Sequence, residues 1–231
     1  MKTLVIISHP EISESGSQQF LLSSIPESES VKVHHLEGAY PDNQIDVAAE
    51  QKLLKQFDRI LFQFPFYWYS SPPMLKQWQD EVLTYGFAYG KNGHALNGKE
   101  FGLVLSVGIK ESEYQAGGKE VFSINELTKP YQAVAVKTGM TYLKPFVIYQ
   151  FPYMTEEQKM TLLIEYQQAV TRKADDSLAT REKWIIQELE NTSEETLAPG
   201  DELLIQHAVD LIEENRDTID GLKMVLDEMN S

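Results

Sequence analysis

A doubly wound α/β domain, with helices on both faces of a five-stranded parallel sheet, is the fold class predicted for residues 1–172. Three observations lead to it. Five short apolar runs alternate with helix-patterned segments, which is the rhythm of strand–helix–strand units. The first run, Leu4 to Ser8, is almost wholly apolar, as a strand buried on both faces must be. The connections after the first, third and fourth runs carry residues that packing alone does not ask for. In a sheet of order 2-1-3-4-5 these three connections converge beyond the carboxyl ends of the strands, where such folds bind ligands.

In chain order, Leu4–Ser8 leads into a Ser-rich loop and then the helical Phe20-Leu21-Leu22. Val31 to Leu36 forms a second strand, and Asp46 is placed to cap a helix carrying Val47, Leu53, Leu54 and Phe57. Ile60 to Phe64 forms the third strand. Pro65 is expected to end it, having a fixed φ and no N–H for a ladder. After the aromatic run Phe66-Tyr67-Trp68-Tyr69, Pro72-Pro73 restarts the chain at a helix N-terminus. That helix buries Leu75, Trp78 and Val82 and is expected to run to Gly86. Phe101 to Val107 is the fourth strand, followed by a long loop to Gly118. Ser123 and Glu126 have capping-box spacing, and Gly139 is placed to end that helix. Tyr142 to Tyr149 is the fifth strand, interrupted by Pro145 and so expected at an edge. Thr155 to Gln158 opens the last helix of the domain.

Residues 173–231 read as a separate acidic helical extension. They hold 5 basic and 16 acidic side chains, a net of −11, which leaves −4 of the chain's −15 for the rest. Leu204, Ala208, Leu211 and Ile212 share a helical face, as do Ile219, Leu222, Leu226 and Met229. Pro199-Gly200 separates this segment from one around Trp184 to Leu189. The extension reads either as a cap on the domain or on a dimer partner, or as a docking element for another protein.

Composition excludes several function classes. No cysteine is present, so thiol redox chemistry and disulfides are out, and any redox step needs a bound cofactor. Without clustered Lys and Arg, nucleic acid is not an expected partner. The apolar run after Met1-Lys2-Thr3 is too short for a signal peptide or membrane span, and cytoplasm is the expected location. No metal site is expected. His34 and His35 are adjacent and point to opposite faces of a strand.

The candidate binding residues lie in the three connections. Ser15, Gly16, Ser17 and Gln18 stand at the mouth of a helix, where backbone N–H groups and the dipole favour an anion. No Lys or Arg lies between Ser8 and Gln18, so a phosphate there would be held by neutral donors and His9. A plain Ser/Gly turn is the alternative reading. Pro65, Phe66, Tyr67, Trp68 and Tyr69 would supply a wall for a flat ligand, since four aromatics in a row cannot all point inward from one loop. Ser106, Val107, Gly108 and Ile109 form the third group, with Gly108 permitting close backbone approach. Tyr114 follows on the same loop and by itself reads as an ordinary half-buried tyrosine.

The stretch Phe66 to Gly90 also carries a resemblance. With Tyr40-Pro41-Asp42, Ile45-Asp46 and Glu50-Gln51 before it, and Leu96 and Gly98-Lys99 after it, it resembles the flavodoxin-like NAD(P)H:quinone oxidoreductases. Within them it is most similar to the ancillary flavoproteins of glutathione-gated potassium-efflux systems, over roughly residues 2–150. The resemblance implies a flavodoxin-like fold and a bound FMN, with FAD as the alternative. It implies hydride donation by NAD(P)H and transfer of two electrons to a quinone or similar acceptor. His9, Ser15 and Ser17 match the positions that hold the flavin phosphate, while Gln18 stands where Asn is usual. Ser106-Val107-Gly108-Ile109 replaces Thr-Thr-Gly-Gly, and Tyr114 is implied to hydrogen-bond the reduced flavin or substrate. The partner histidine of those enzymes is missing, with Lys119 and Glu120 in that region. A homodimer is implied, and a regulatory subunit docking on a membrane efflux transporter is the alternative function.

Overall fold

The computed structural model describes residues 1–25, 30–172, 177–191 and 200–229. The chain divides into two units, Met1–Lys173 and Ala174–Ser231. In the first, six parallel strands form one sheet: β1 Thr3–Ile7, β2 Val31–His35, β3 Arg59–Pro65, β4 Glu100–Val107, β5 Thr141–Tyr142 and β6 Phe146–Tyr149. The order is β2-β1-β3-β4, and β4 pairs along its outer side with β5 and then β6. Pro145 lies between β5 and β6, so the expected fifth strand is one edge strand in two pieces. Pro65 is the last residue of β3, opposite Ser106, rather than the residue after it. Its missing N–H breaks no pairing, because the next amide, Phe66 N–H, donates to the Ser106 carbonyl at 3.0 Å.

Among the described residues, seven α-helices flank this sheet: α1 Gly16–Ser23, α2 Leu36–Ala39, α3 Val47–Lys55, α4 Pro73–Val82, α5 Ile124–Leu127, α6 Lys129–Thr138 and α7 Glu156–Thr171. Their ends are set locally. Asp46 accepts from Ala49 N–H at 3.0 Å, and Ser123–Glu126 and Thr155–Gln158 form capping boxes. Gly139 takes the left-handed conformation, φ 73°, that terminates α6. α4 stops at Val82, short of the expected Gly86, because the Gln51 amide donates to the Val82 carbonyl and to Thr84 Oγ1 at 2.9 and 3.0 Å.

Strand alternation divides the core in two. Leu4, Ile6, Phe62, Phe64 and Phe101 pack with Leu54, Trp78 and Tyr131 on one face of the sheet. Val5, Ile7, Leu61, Val104 and Ile148 pack with Leu21, Tyr166 and Val170 on the other. Phe62 makes edge contacts with Trp78 and Phe101 at 5.5 and 4.8 Å, a geometry worth about 0.5–1.5 kcal/mol per pair beyond area burial. The Trp78 indole N–H reaches buried Glu50 at 2.8 Å, and the same carboxylate accepts from the Tyr40 hydroxyl and pairs with His34. The Tyr40 and Glu50 positions that carried the resemblance therefore do structural work: they lock α3, α4 and β2 together through one satisfied buried charge. At the amino-terminal end of the sheet, buried Arg59 is paired with Glu100 at 2.6 Å and donates to the Ala169 carbonyl.

In the second unit, α8 Leu178–Glu190 packs on α9 Asp201–Met229, with Arg216 bonded to Glu182 across the pair. Gly200, φ 99°, precedes α9, while Pro199 lies outside the described residues. The two expected apolar faces fall on one continuous helix and are not equally covered. Val209 is buried and Ala208, Ile212 and Ile219 are half-buried, whereas Leu204, Leu211, Leu222, Leu226 and Met229 are exposed. No helix among the described residues is long and apolar enough to cross a membrane.

Candidate functional site

β1 delivers Ser8 and His9 to the carboxyl end of the sheet. Ser8 is buried, its N–H donating to the Gln63 carbonyl at 3.1 Å and its hydroxyl to Glu37 at 2.6 Å. The chain turns through Ile12–Glu14, and Ser15 caps α1 with its Oγ 3.4 Å from Gln18 N–H. Ser15 and Ser17 Oγ lie 3.4 Å apart. The amides of Gly16 and Ser17, in the first turn, have no intrahelical carbonyl to bond. Two hydroxyls and two amides thus share one helix mouth, the arrangement an anion needs.

His9 contributes one specified donor. Its Nδ1 accepts from Glu11 N–H at 3.1 Å, which assigns the proton of the neutral ring to Nε2. Burial pushes its pKa down, against the opposing pull of Glu37, so the ring is a neutral Nε2–H donor at ordinary pH. Gln18 does something else. Its side chain is fully buried, with Oε1 accepting from Gln63 Nε2 at 2.6 Å, and Gln63 Oε1 accepts from the Tyr166 hydroxyl at 2.7 Å. Gln18 faces the core, and its Nε2 is a buried donor with no partner among the described residues.

The connection after β3 is strained. Phe66 is buried, while Tyr67, Trp68 and Tyr69 are exposed, Trp68 at 92%. Ser70 N–H donates to the Tyr67 carbonyl at 3.0 Å, closing a turn whose two central residues, Trp68 and Tyr69, have φ of 46° and 63°. Left-handed backbone at non-glycine residues costs about 1–3 kcal/mol each. Such cost is retained where it presents a side chain outward, as it does here.

At the end of β4, Ser106 is half-buried and Val107 buried within the strand, and Gly108 and Ile109 beyond it are exposed. A Cβ at Gly108 would meet nothing within 4 Å, so open space faces its backbone. The loop then folds back on itself: Lys119 N–H donates to the Glu113 carboxylate at 2.8 Å, and Glu120 N–H to the Glu113 carbonyl at 3.1 Å. This brings Glu120 to 2.9 Å from the Tyr69 hydroxyl, joining the third-strand and fourth-strand connections. Tyr114 is buried at 8% exposure with its ring 6.2 Å from that of Tyr149. Burial, with Glu120 and Tyr69 nearby, pushes its hydroxyl pKa up and keeps it a proton donor. Burial, with Glu111 and Tyr114, pushes the Tyr149 hydroxyl to about 12.

The structure therefore gathers His9, Ser15, Gly16 and Ser17 at the end of β1. It joins Phe66–Tyr69 to Ser106–Ile109 and Tyr114 through the Phe66–Ser106 and Tyr69–Glu120 bonds. Two residues that hold the first connection from outside it were not legible in the sequence. Gln63 lies within an apolar strand, and Glu37 follows β2, whose end is not one of the three converging connections; only the neighbouring places of β2 and β1 in the sheet bring it in. Among the described residues, no group of three or more His, Cys, Asp or Glu could hold a metal ion.

A parallel sheet of this order, with an open helix mouth after β1 and exposed aromatics after β3, defines the flavodoxin-like class of α/β domain. Residues 1–170 match the family described as the flavodoxin-like fold, and the chain belongs to that family. Among curated proteins it is 49% identical over 158 residues to the uncharacterised NAD(P)H oxidoreductase YdeQ of Bacillus subtilis, covering 68% of this chain and 80% of that one. It is 37% identical over 179 residues to KefG of Yersinia enterocolitica, an ancillary protein of the glutathione-regulated potassium-efflux system, covering 78% and 95%. Among solved structures it is similar to an NADPH-quinone reductase from P. pentosaceus, with a TM-score of 0.71 at 43% identity over 75% of this chain and 99% of that one. General stress protein 14 of Treponema denticola, solved in complex with FMN, gives a TM-score of 0.68 at 37% identity over 74% and 98%.

Proposed function

We propose that this protein is an FMN-dependent NAD(P)H oxidoreductase whose acceptor is a quinone or a similar flat molecule. One observation carries the reading: a helix mouth of neutral donors and an outward-facing, strained aromatic turn stand at one edge of a sheet whose family includes an FMN complex. The residues fit the cofactor. Ser15, Ser17, the amides of Gly16 and Ser17 and the His9 Nε2–H would hold the phosphate. Phe66, Tyr67, Trp68 and Tyr69 would wall the ring, and the open space at Gly108 admits a ring edge to the backbone. Bound there, FMN would supply the two-electron chemistry, taking a hydride from NAD(P)H and returning the electrons to the acceptor.

The chain's own work is position, water exclusion and proton supply. Tyr114, kept protonated, would donate a hydrogen bond at the reacting edge. Glu120 orients Tyr69 across the mouth. An absorption spectrum of the purified protein, with mass analysis of the released cofactor, tests the reading directly. Flavin bands and FMN mass are expected, with parallel initial-rate lines for donor and acceptor sharing one site. A colourless protein that refuses added flavin would sink it.

A second reading is favoured by the second unit and by the likeness to KefG: a regulatory flavoprotein that docks on a membrane transporter. α9 exposes Leu222, Leu226 and Met229 on a strongly acidic segment. Deleting Ala174–Ser231 would then abolish co-purification with a transporter while turnover persists. A homodimer is also proposed, on the exposed aromatics Tyr67, Trp68 and Tyr69, and light scattering of the native chain tests it.

A further inference from the structure

One side chain of the helix mouth does not face outward. Gln18 belongs to the first turn of α1, its N–H 3.4 Å from Ser15 Oγ, yet its side chain is fully buried. It ends a chain of two hydrogen bonds that begins on α7. The Tyr166 hydroxyl donates to Gln63 Oε1 on β3 at 2.7 Å, and Gln63 Nε2 donates to Gln18 Oε1 at 2.6 Å. Gln63 reaches both helices because strand alternation puts it on the same face of the sheet as Leu61, two residues back.

The chain has one direction. Tyr166 belongs to the apolar cluster of Val5, Ile7, Leu21 and Leu61, and burial pushes its hydroxyl pKa well above the ordinary tyrosine value, so the proton stays on. Run the other way, the bonds would leave that proton buried without an acceptor, which costs about as much as a lost hydrogen bond. The hydroxyl therefore donates. Gln63 must turn its oxygen to α7 and its nitrogen to α1, and Gln18 must turn its oxygen to Gln63. What remains at the far end is Gln18 Nε2, a buried donor with no partner among the described residues. The positive end of an amide dipole is thus left no further from the mouth than a glutamine side chain reaches, on the turn that Gly16 and Ser17 share.

We propose that Tyr166 is a positioning residue for the anion mouth: through Gln63 it fixes the Gln18 amide with its donor end free, and so strengthens the hold of α1 on the flavin phosphate. The inference rests on the FMN reading above. An amide dipole in dry surroundings acts on a nearby dianion without touching it, and here it adds to the field of the helix terminus. With the Tyr166 hydroxyl removed, nothing holds Gln63 in one orientation. Both amides can then turn over, and Gln18 can present its carbonyl oxygen instead. Only a phosphate feels the difference. Riboflavin, which lacks the phosphate, does not.

The test is titration of FMN and of riboflavin into the flavin-free full-length chain, native and Tyr166→Phe, followed by quenching of flavin fluorescence, with a thermal melt of each. Tyr166→Phe is expected to weaken FMN about fivefold, the worth of one neutral hydrogen bond, and to leave riboflavin affinity unchanged. Gln18→Met, which keeps the length of the side chain and removes the amide, should lose the same preference. The double variant should lose no more than either alone, since the hydroxyl acts only through that amide. Should Tyr166→Phe not fold, Gln63→Met cuts the same chain at its middle and is read in the same way. Unchanged FMN affinity in Tyr166→Phe, or equal weakening of both flavins, would overturn the proposal and leave the hydroxyl a stabilising group only. Additive losses in the double variant would overturn the route through Gln18. A native chain that binds neither flavin would overturn the FMN reading together with this one.

Discussion

Glu50 is a carboxylate held in the core by three donors. Burial alone would raise its pKa, but the hydrogen bonds from His34, Tyr40 and Trp78 outweigh that and leave it below the ordinary carboxylate value. Its folded pKa being the lower one, its contribution to stability is full above the unfolded value and is lost as pH falls through the folded value. Glu50→Gln is therefore expected to melt lower than the native chain at neutral pH and to close that gap in acid, as seen in thermal melts from about pH 7 to pH 3. Leaving the three donors imperfectly matched should cost about 1–3 kcal/mol at neutral pH. Gly108 makes the converse case. Its Cβ space is empty, so Gly108→Leu should leave the melting temperature of the flavin-free chain nearly unchanged while blocking flavin uptake, read by fluorescence titration. Neither role follows from residue type. At the glycine the sequence offers only an expectation of close approach, whereas the Gln18–Gln63–Tyr166 chain joins residues 45 and 103 positions apart and appears only once the sheet is assembled.

Elements were legible where their signals are local. The Asp46, Ser123 and Thr155 caps and the Gly139 stop are each set within a few residues and each forms, but the single helix expected from Ser123 to Gly139 is two, α5 and α6, divided at Thr128. The end of α4 was not, because Gln51 on another helix decides it. The aromatic connection stood out by composition, but its left-handed turn did not, since neither Trp68 nor Tyr69 favours that backbone. The turn carries a measurable consequence. Trp68→Gly removes strain of about 1–3 kcal/mol and adds a glycine entropy penalty of about 0.5–1 kcal/mol. As the Trp68 ring is exposed and loses no packing, a net gain on the order of 1 kcal/mol is expected in urea unfolding. The same change should weaken flavin binding and slow turnover. A variant that gains neither stability nor loses function would show that the turn serves nothing.

At the scale of the molecule, the charge asymmetry sets residues 173–231 apart in the sequence, and the structure divides into units after Lys173. Removing Ala174–Ser231 is expected to leave the melting transition and flavin affinity of the first unit within error of the full chain, by calorimetry and flavin titration. A collapsed transition would mean that the first unit does not fold on its own. The sheet itself was legible because its apolar runs are short and separate, while the split of the last strand was only half legible: Pro145 announced an interruption without saying that both pieces would pair with β4. That interruption matters to the molecule's neighbours. At this margin a stray chain meets two rungs of β5 and four of β6, broken by a residue with no N–H to offer, instead of one long template. Stacking of copies into an ever-growing ribbon is thereby checked at the place where it would begin.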